Sequence, residues 1–173
     1  MVKPTGKTSS EIRKLFLVEL QSEKFQRKLR KYSGLSHVKE RISYQDLLLK
    51  MSVDLPQASF RRNRTWWEGL RTGGYCGLDN MERLEIGLAR FIMRFKAFRE
   101  STIHHELIHL AQEYAEGALT KEANRQLSRG QRWRYEYEAH LFGGPLAMII
   151  TCGPQAAFIC YVICYFAIST FAS

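Results

Sequence analysis

The run His104-His105-Glu106-Leu107-Ile108-His109 constrains this chain more tightly than any other. Read from His105, it has the spacing H-E-x-x-H. A helix stacks i and i+4 side chains on one face, so His105 and His109 can present imidazole nitrogens to one ion at about 2.0–2.1 Å. Glu106 stands one step round the helix, where its carboxylate can take a proton from an attacking water without occupying the ion. A helix is predicted over residues 102–112, with Ile103, Leu107, Leu110 and Ala111 as its apolar stripe and Ser101 or Thr102 as its cap. Four of the five histidines fall between positions 104 and 140. The chemistry implied is zinc-assisted hydrolysis, most often of a peptide bond; the plainer alternative is a surface helix that happens to carry histidine.

A catalytic zinc takes three protein ligands and keeps one position open. The third is expected from a second helix beginning near Thr120 and carrying Tyr135-Glu136-Tyr137-Glu138-Ala139-His140. Helical spacing puts Glu136 and His140 on one face. Glu136 is the leading candidate, with Glu138 and His140 as competitors; solvated helix charges are the ordinary alternative. Glu116-Gly117 and Ser128-Arg129-Gly130 are the expected breaks. Upstream, Leu84, Ile86 and Leu88 alternate, with Gly87 as a possible bulge. Residues 89–98 alternate again, placing Phe91, Met93, Phe95 and Ala97 opposite Arg90, Arg94 and Lys96, the period of a half-buried strand. Such a strand beside the helix can accept an extended substrate by strand addition.

H-E-L-I-H followed by E-Y-E-A-H resembles the gluzincin arrangement, in which H-E-x-x-H precedes E-x-x-A-D or E-x-x-A-N on a later helix. The resemblance implies His105, His109 and Glu136 as ligands of one catalytic zinc and Glu106 as general base. H-H-E-L-I-H-L-A-Q with downstream E-A-H-L-F-G looks most like short zincin domains of bacterial polymorphic toxins and effectors. It covers roughly residues 84–145. It implies a protein or peptide substrate, an immunity protein or chaperone as partner, and delivery as an effector without a classical signal. His140 departs from the pattern, standing where Asp or Asn usually orients a ligand. The family often uses Tyr or His to stabilise the oxyanion, for which Tyr135, Tyr137 and His104 are candidates. The expected fold is α+β: a small zincin-like domain whose H-E-x-x-H helix lies next to a short antiparallel sheet, with N-terminal helices and an apolar C-terminal helical segment.

Three parts are expected within what can still be one compact domain: a basic, helical and loop-rich stretch at 1–80, the core at 81–145 and an apolar segment at 146–173. Residues 1–100 hold 21 Lys/Arg against 11 Asp/Glu, while residues 141–173 hold no charge. Thr8-Ser9-Ser10-Glu11 reads as a capping box before Ile12, Leu15, Phe16, Leu20 and Phe25, and Ser43-Tyr44-Gln45-Asp46 as a second helix start. Residues 53–80 read as loops. Arg61-Arg62-Asn63-Arg64-Thr65-Trp66-Trp67 has the basic-aromatic mixture of a phosphate or membrane contact, but packed tryptophans beside solvated arginines explain it more simply, and nucleic acid is not the expected partner. Residues 146–171 are long and apolar enough for membrane association, though Gly153-Pro154 would split a span; a non-enzymatic protein acting by insertion of this segment is therefore the rival reading. No signal peptide is evident in residues 1–14. Cys160 and Cys164, one turn apart, are poorly placed to bridge, and neither a Gly-rich phosphate loop nor a Ser-His-Asp set competes with the histidine motif.

Overall fold

Apolar side chains recur every third or fourth position through the N-terminal third, and each such run forms a helix with one buried stripe. The computed structural model describes residues 6–62, 74–78, 83–89, 92–94, 96–116 and 127–144. Helix α1 (Gly6–Gln21) buries Ile12, Phe16 and Leu20, and α2 (Glu23–Ser33) buries Phe25, Leu29 and Tyr32. After a short α3 (Ser36–Lys39), α4 (Tyr44–Asp54) buries Leu47 and Met51. Ser43 caps α4 as expected, its Oγ accepting from the Asp46 amide at 3.1 Å. The box expected at Thr8–Glu11 is corrected: α1 already begins at Gly6, and these residues lie inside it.

The loops expected over residues 53–80 also require correction. The chain makes a 3₁₀ turn at Leu55–Gln57 and then strands β1 (Ser59–Arg62) and β2 (Gly74–Leu78), which join the expected β3 (Leu84–Leu88). In the order β1-β3-β2, the middle strand runs antiparallel to β2 but parallel to β1, so the sheet is mixed rather than antiparallel. Packing of β1 on α1 accounts for this: Phe60 is buried with its ring centroid 5.6 Å from that of Phe16, which docks β1 on the side of β3 away from β2. Gly87 is no bulge. It holds regular register between Arg61 and Tyr75, and the Tyr75 ring covers the space a side chain would fill.

The strand predicted for residues 89–98 is absent among the described residues of that stretch. Ile92–Arg94 form a 3₁₀ turn with Ile92 fully buried, and α5 (Lys96–Glu116) starts earlier than the sequence suggests. Lys96, Ala97, Arg99 and Glu100 all favour helix, and Arg99 Nη1 donates to the Met93 carbonyl at 2.9 Å across the junction. Ser101 and Thr102, expected as caps, are interior residues of α5. Every residue from Ser101 to Ile108 is buried, so α5 is the axis of the fold, packed against α1, α2, α4, β2 and α6 (Arg129–Gly143). Ser128 and Gln131 form a capping box at the start of α6, at the break the sequence marked; Thr120 lies outside the described residues. Gly144 ends α6 with φ +138°, a conformation that glycine tolerates best.

One hydrophobic cluster runs from Ile12 to Ala139, including Ile103, Leu107, Leu110 and Ala111 of α5. The molecule is a mixed α+β protein, mostly helical, with a small three-stranded sheet. Among the described residues no helix is long and apolar enough to cross a membrane. Residues 145–173, and the Asn63–Trp67 part of the basic-aromatic run, lie outside the described residues.

Candidate metal centre

Helical spacing alone brings His105 and His109 together on α5, with Nε2 atoms 3.1 Å apart and rings set edge to face. What helical spacing on α5 cannot supply comes from α6, which packs along it. Glu136 places Oε2 3.8 Å from His105 Nε2 and Oε1 3.6 Å from His109 Nε2. His140, one turn on, lies with Nε2 3.9 Å from Glu136 Oε2 and its ring centroid 4.5 Å from that of His105. One donor atom each from His105, Glu136 and His140 fall within 4.8 Å of one another. Glu138 points elsewhere: its carboxylate meets Gln112 Nε2 at 3.2 Å and His37 Nε2 at 3.2 Å. Of the three competing third ligands, Glu136 and His140 therefore face the histidine pair, and Glu138 does not.

Two glycines set this geometry. A side chain at Gly143 would lie 2.5 Å from the His105 Cα, so its absence lets α6 reach the backbone of the first histidine. A side chain at Gly74 on β2 would lie 2.7 Å from Glu106 Oε1 and 2.9 Å from its Cγ. Glu106 is thus seated against the outer strand of the described sheet, beside the His105–His109 pair and outside it.

Without an ion, the positive charge facing Glu136 resides on His109. Burial works to lower the His109 imidazole, but Glu136 and Glu106, with the Gln112 acceptor, outweigh it and hold the pKa at about 9. His105 is driven well below the ordinary range, first by burial and then by His109 and His140, which leaves a neutral imidazole with a lone pair. Burial also acts to raise Glu136, yet the neighbouring His109 and His140 hold it below the usual carboxylate range. Glu106 is pushed up to about 7, chiefly by burial. Burial, then Glu106 and Glu113, push the Cys76 thiol well up, so it lacks the thiolate character of a nucleophilic cysteine.

Zinc fits this donor set. Ligands about 2.0–2.1 Å from one ion at tetrahedral angles stand about 3.3–3.4 Å apart; the two histidine Nε2 atoms are 3.1 Å apart, with one Glu136 oxygen 3.8 Å from His105 and the other 3.6 Å from His109. Imidazole and carboxylate are ordinary zinc donors. Gln112, to which the sequence reading assigned no role, supplies the support: its Oε1 lies 2.8 Å from His109 Nδ1. An ion would displace the proton on Nε2, and this contact would keep the remaining ring proton on Nδ1. Gln112 in turn donates to the Tyr135 carbonyl at 2.9 Å and to Glu138. The signal for it was its place one turn beyond His109.

His104 is corrected as an oxyanion candidate. It faces α1 and α2, with Nε2 2.9 Å from Glu19 Oε2 and Nδ1 3.0 Å from Lys28 Nζ, and Lys28 also donates to the Gly143 carbonyl at 2.6 Å. Burial and the Lys28 charge push it down to about 3, so it is a neutral core histidine. His104 also groups with Glu19 and Glu100 as possible metal donors, but the lysines Lys28 and Lys24 already supply positive charge there. Tyr135 is likewise committed, donating to Glu116 Oε2 at 2.8 Å. Tyr137 sits half-buried on α6. Comparison with protein-family models, curated proteins and solved structures finds no match.

Proposed function

We propose that the chain is a zinc-dependent metallopeptidase of gluzincin type, acting as the catalytic domain of a bacterial toxin or effector on a protein or peptide substrate. The observation that carries this reading is the arrival of the Glu136 carboxylate, from a separate helix, within 3.6–3.8 Å of the Nε2 atoms of both motif histidines. His105, His109 and Glu136 would hold the ion. When bound, zinc acidifies water and polarises a carbonyl. Glu106 takes the proton from the attacking water and passes it to the leaving amine. β2 lines the Glu106 side of the centre, and an extended substrate is placed along it by strand addition. An immunity protein or chaperone is the partner that an effector role entails, and membrane contact through residues 146–171 belongs to the same proposal.

Elemental mass spectrometry of the purified chain is expected to find about one zinc per chain. A chain that stays zinc-free when the ion is supplied would reduce His105 and His109 to ordinary helix residues and leave the apolar 146–171 segment as the stronger lead. Gln112→Ala is expected to weaken zinc binding by about 10–100-fold while the helix persists. Competition against a chromophoric chelator measures this, and an unchanged affinity would remove Gln112 from its supporting role.

A further inference from the structure

We propose that His140 is a fourth protein donor to the ion held by His105, His109 and Glu136, so that the centre is built from three imidazoles and one carboxylate. This rests on the metal-binding reading above and extends it to a residue which that reading leaves aside.

His140 lies on the face of α6 that carries Glu136, one turn away, and packs against His105 rather than solvent. It is 8% exposed, and its Nδ1 is buried with no hydrogen-bond partner among the described residues. A buried imidazole gains little by packing unless its nitrogens are satisfied. Its Nε2 lies 3.9 Å from the Glu136 carboxylate, too far for a hydrogen bond. His105, Glu136 and His140 already bring one donor atom each within 4.8 Å of one another, so an ion held between α5 and α6 lies beside the His140 ring. A residue that merely orients a ligand would instead place a donor or acceptor within hydrogen-bond reach of Glu136 or of a histidine Nδ1, as Gln112 does for His109.

The consequence is chemical. Four protein donors would fill a tetrahedral zinc, so the hydrolytic reading would then require the centre to accept water by expanding to five-coordination. The carboxylate of Glu106 stays outside this set, seated against Gly74.

X-ray absorption at the zinc edge counts imidazoles directly, and the test applies it to the full chain loaded with Zn²⁺. Three imidazoles are expected in the unmodified protein and two in His140→Ala and His140→Asn, with zinc affinity lowered at least about tenfold in both variants. Two imidazoles in the unmodified chain, or an unchanged count on removing His140, would overturn the proposal. The count in the unmodified chain decides the matter even if a variant fails to fold. A chain that takes up no zinc at all would overturn the underlying metal reading, an outcome distinct from a loaded centre with two imidazoles.

Discussion

Glu106→Gln is expected to leave the metal in place and to lower hydrolysis by about 10²–10⁴-fold, the usual contribution of a positioned proton-transfer group. Glutamine keeps the size and shape of the side chain, so the seat against Gly74 stays filled. It cannot take up the proton of the attacking water. Because Glu106 stands outside the donors His105, His109 and Glu136, zinc content should not change. Cleavage of a peptide library, read by mass spectrometry beside the metal content, measures both effects, and retained cleavage would remove the general-base role. The same variant carries a stability signature in the chelator-treated chain. Burial raises the folded-state pKa of Glu106 from 4.5 to about 7, so between those values the folded state binds more protons than the unfolded one. The contribution of Glu106 to stability is therefore present below about pH 4.5 and is lost as pH rises towards 7. Glutamine does not titrate, and its advantage over Glu106 should grow across that window to the order of 3 kcal/mol.

The grouping of the candidate residues was legible where helical geometry is local. Once residues 105–109 are helical, the His105–His109 pair follows from spacing, and Glu136 and His140 share a face for the same reason. The choice of Glu136 over Glu138 depends on how α6 is rotated on α5, and the close approach at Gly143 fixes that rotation. His104 shows the opposite limit. A step of one residue turns a side chain about 100° round the helix, which carries His104 away from His105 and into the space between α1 and α2. The sheet was least legible. Gly-Tyr-Cys-Gly-Leu holds two glycines and Ser-Phe-Arg-Arg two arginines, both poor strand sequences taken alone. Their pairing with Leu84–Leu88 is non-local, and packing of Phe60 on Phe16 decides it. Residues 89–98 misled because the alternation covers the point where a buried Ile92 turns the chain into α5, and the helical propensity from Lys96 onward prevails.

Gly143→Ala is expected to destabilise the protein by about 1–3 kcal/mol or more, despite alanine's better helix propensity. The added methyl would meet His105 Cα at 2.5 Å and His105 N at 2.7 Å. These are backbone atoms in the most buried part of α5, so no side chain can swing aside, and the two helices must separate. Separation draws Glu136 and His140 away from His105 and His109, so zinc affinity should fall with stability. Gly130→Ala supplies the contrast within the same helix. There the nearest atom to the new methyl is Ser128 Oγ at 4.0 Å and the residue is exposed, so alanine should stabilise by about 0.5–1 kcal/mol. Opposite signs from one chemical change on one helix separate the propensity effect from the packing effect. Chemical denaturation of both variants, with chelator competition for zinc, reads the difference. If Gly143→Ala proves as benign as Gly130→Ala, α6 does not approach His105 this closely, and Glu136 is then not delivered to the histidine pair by this packing.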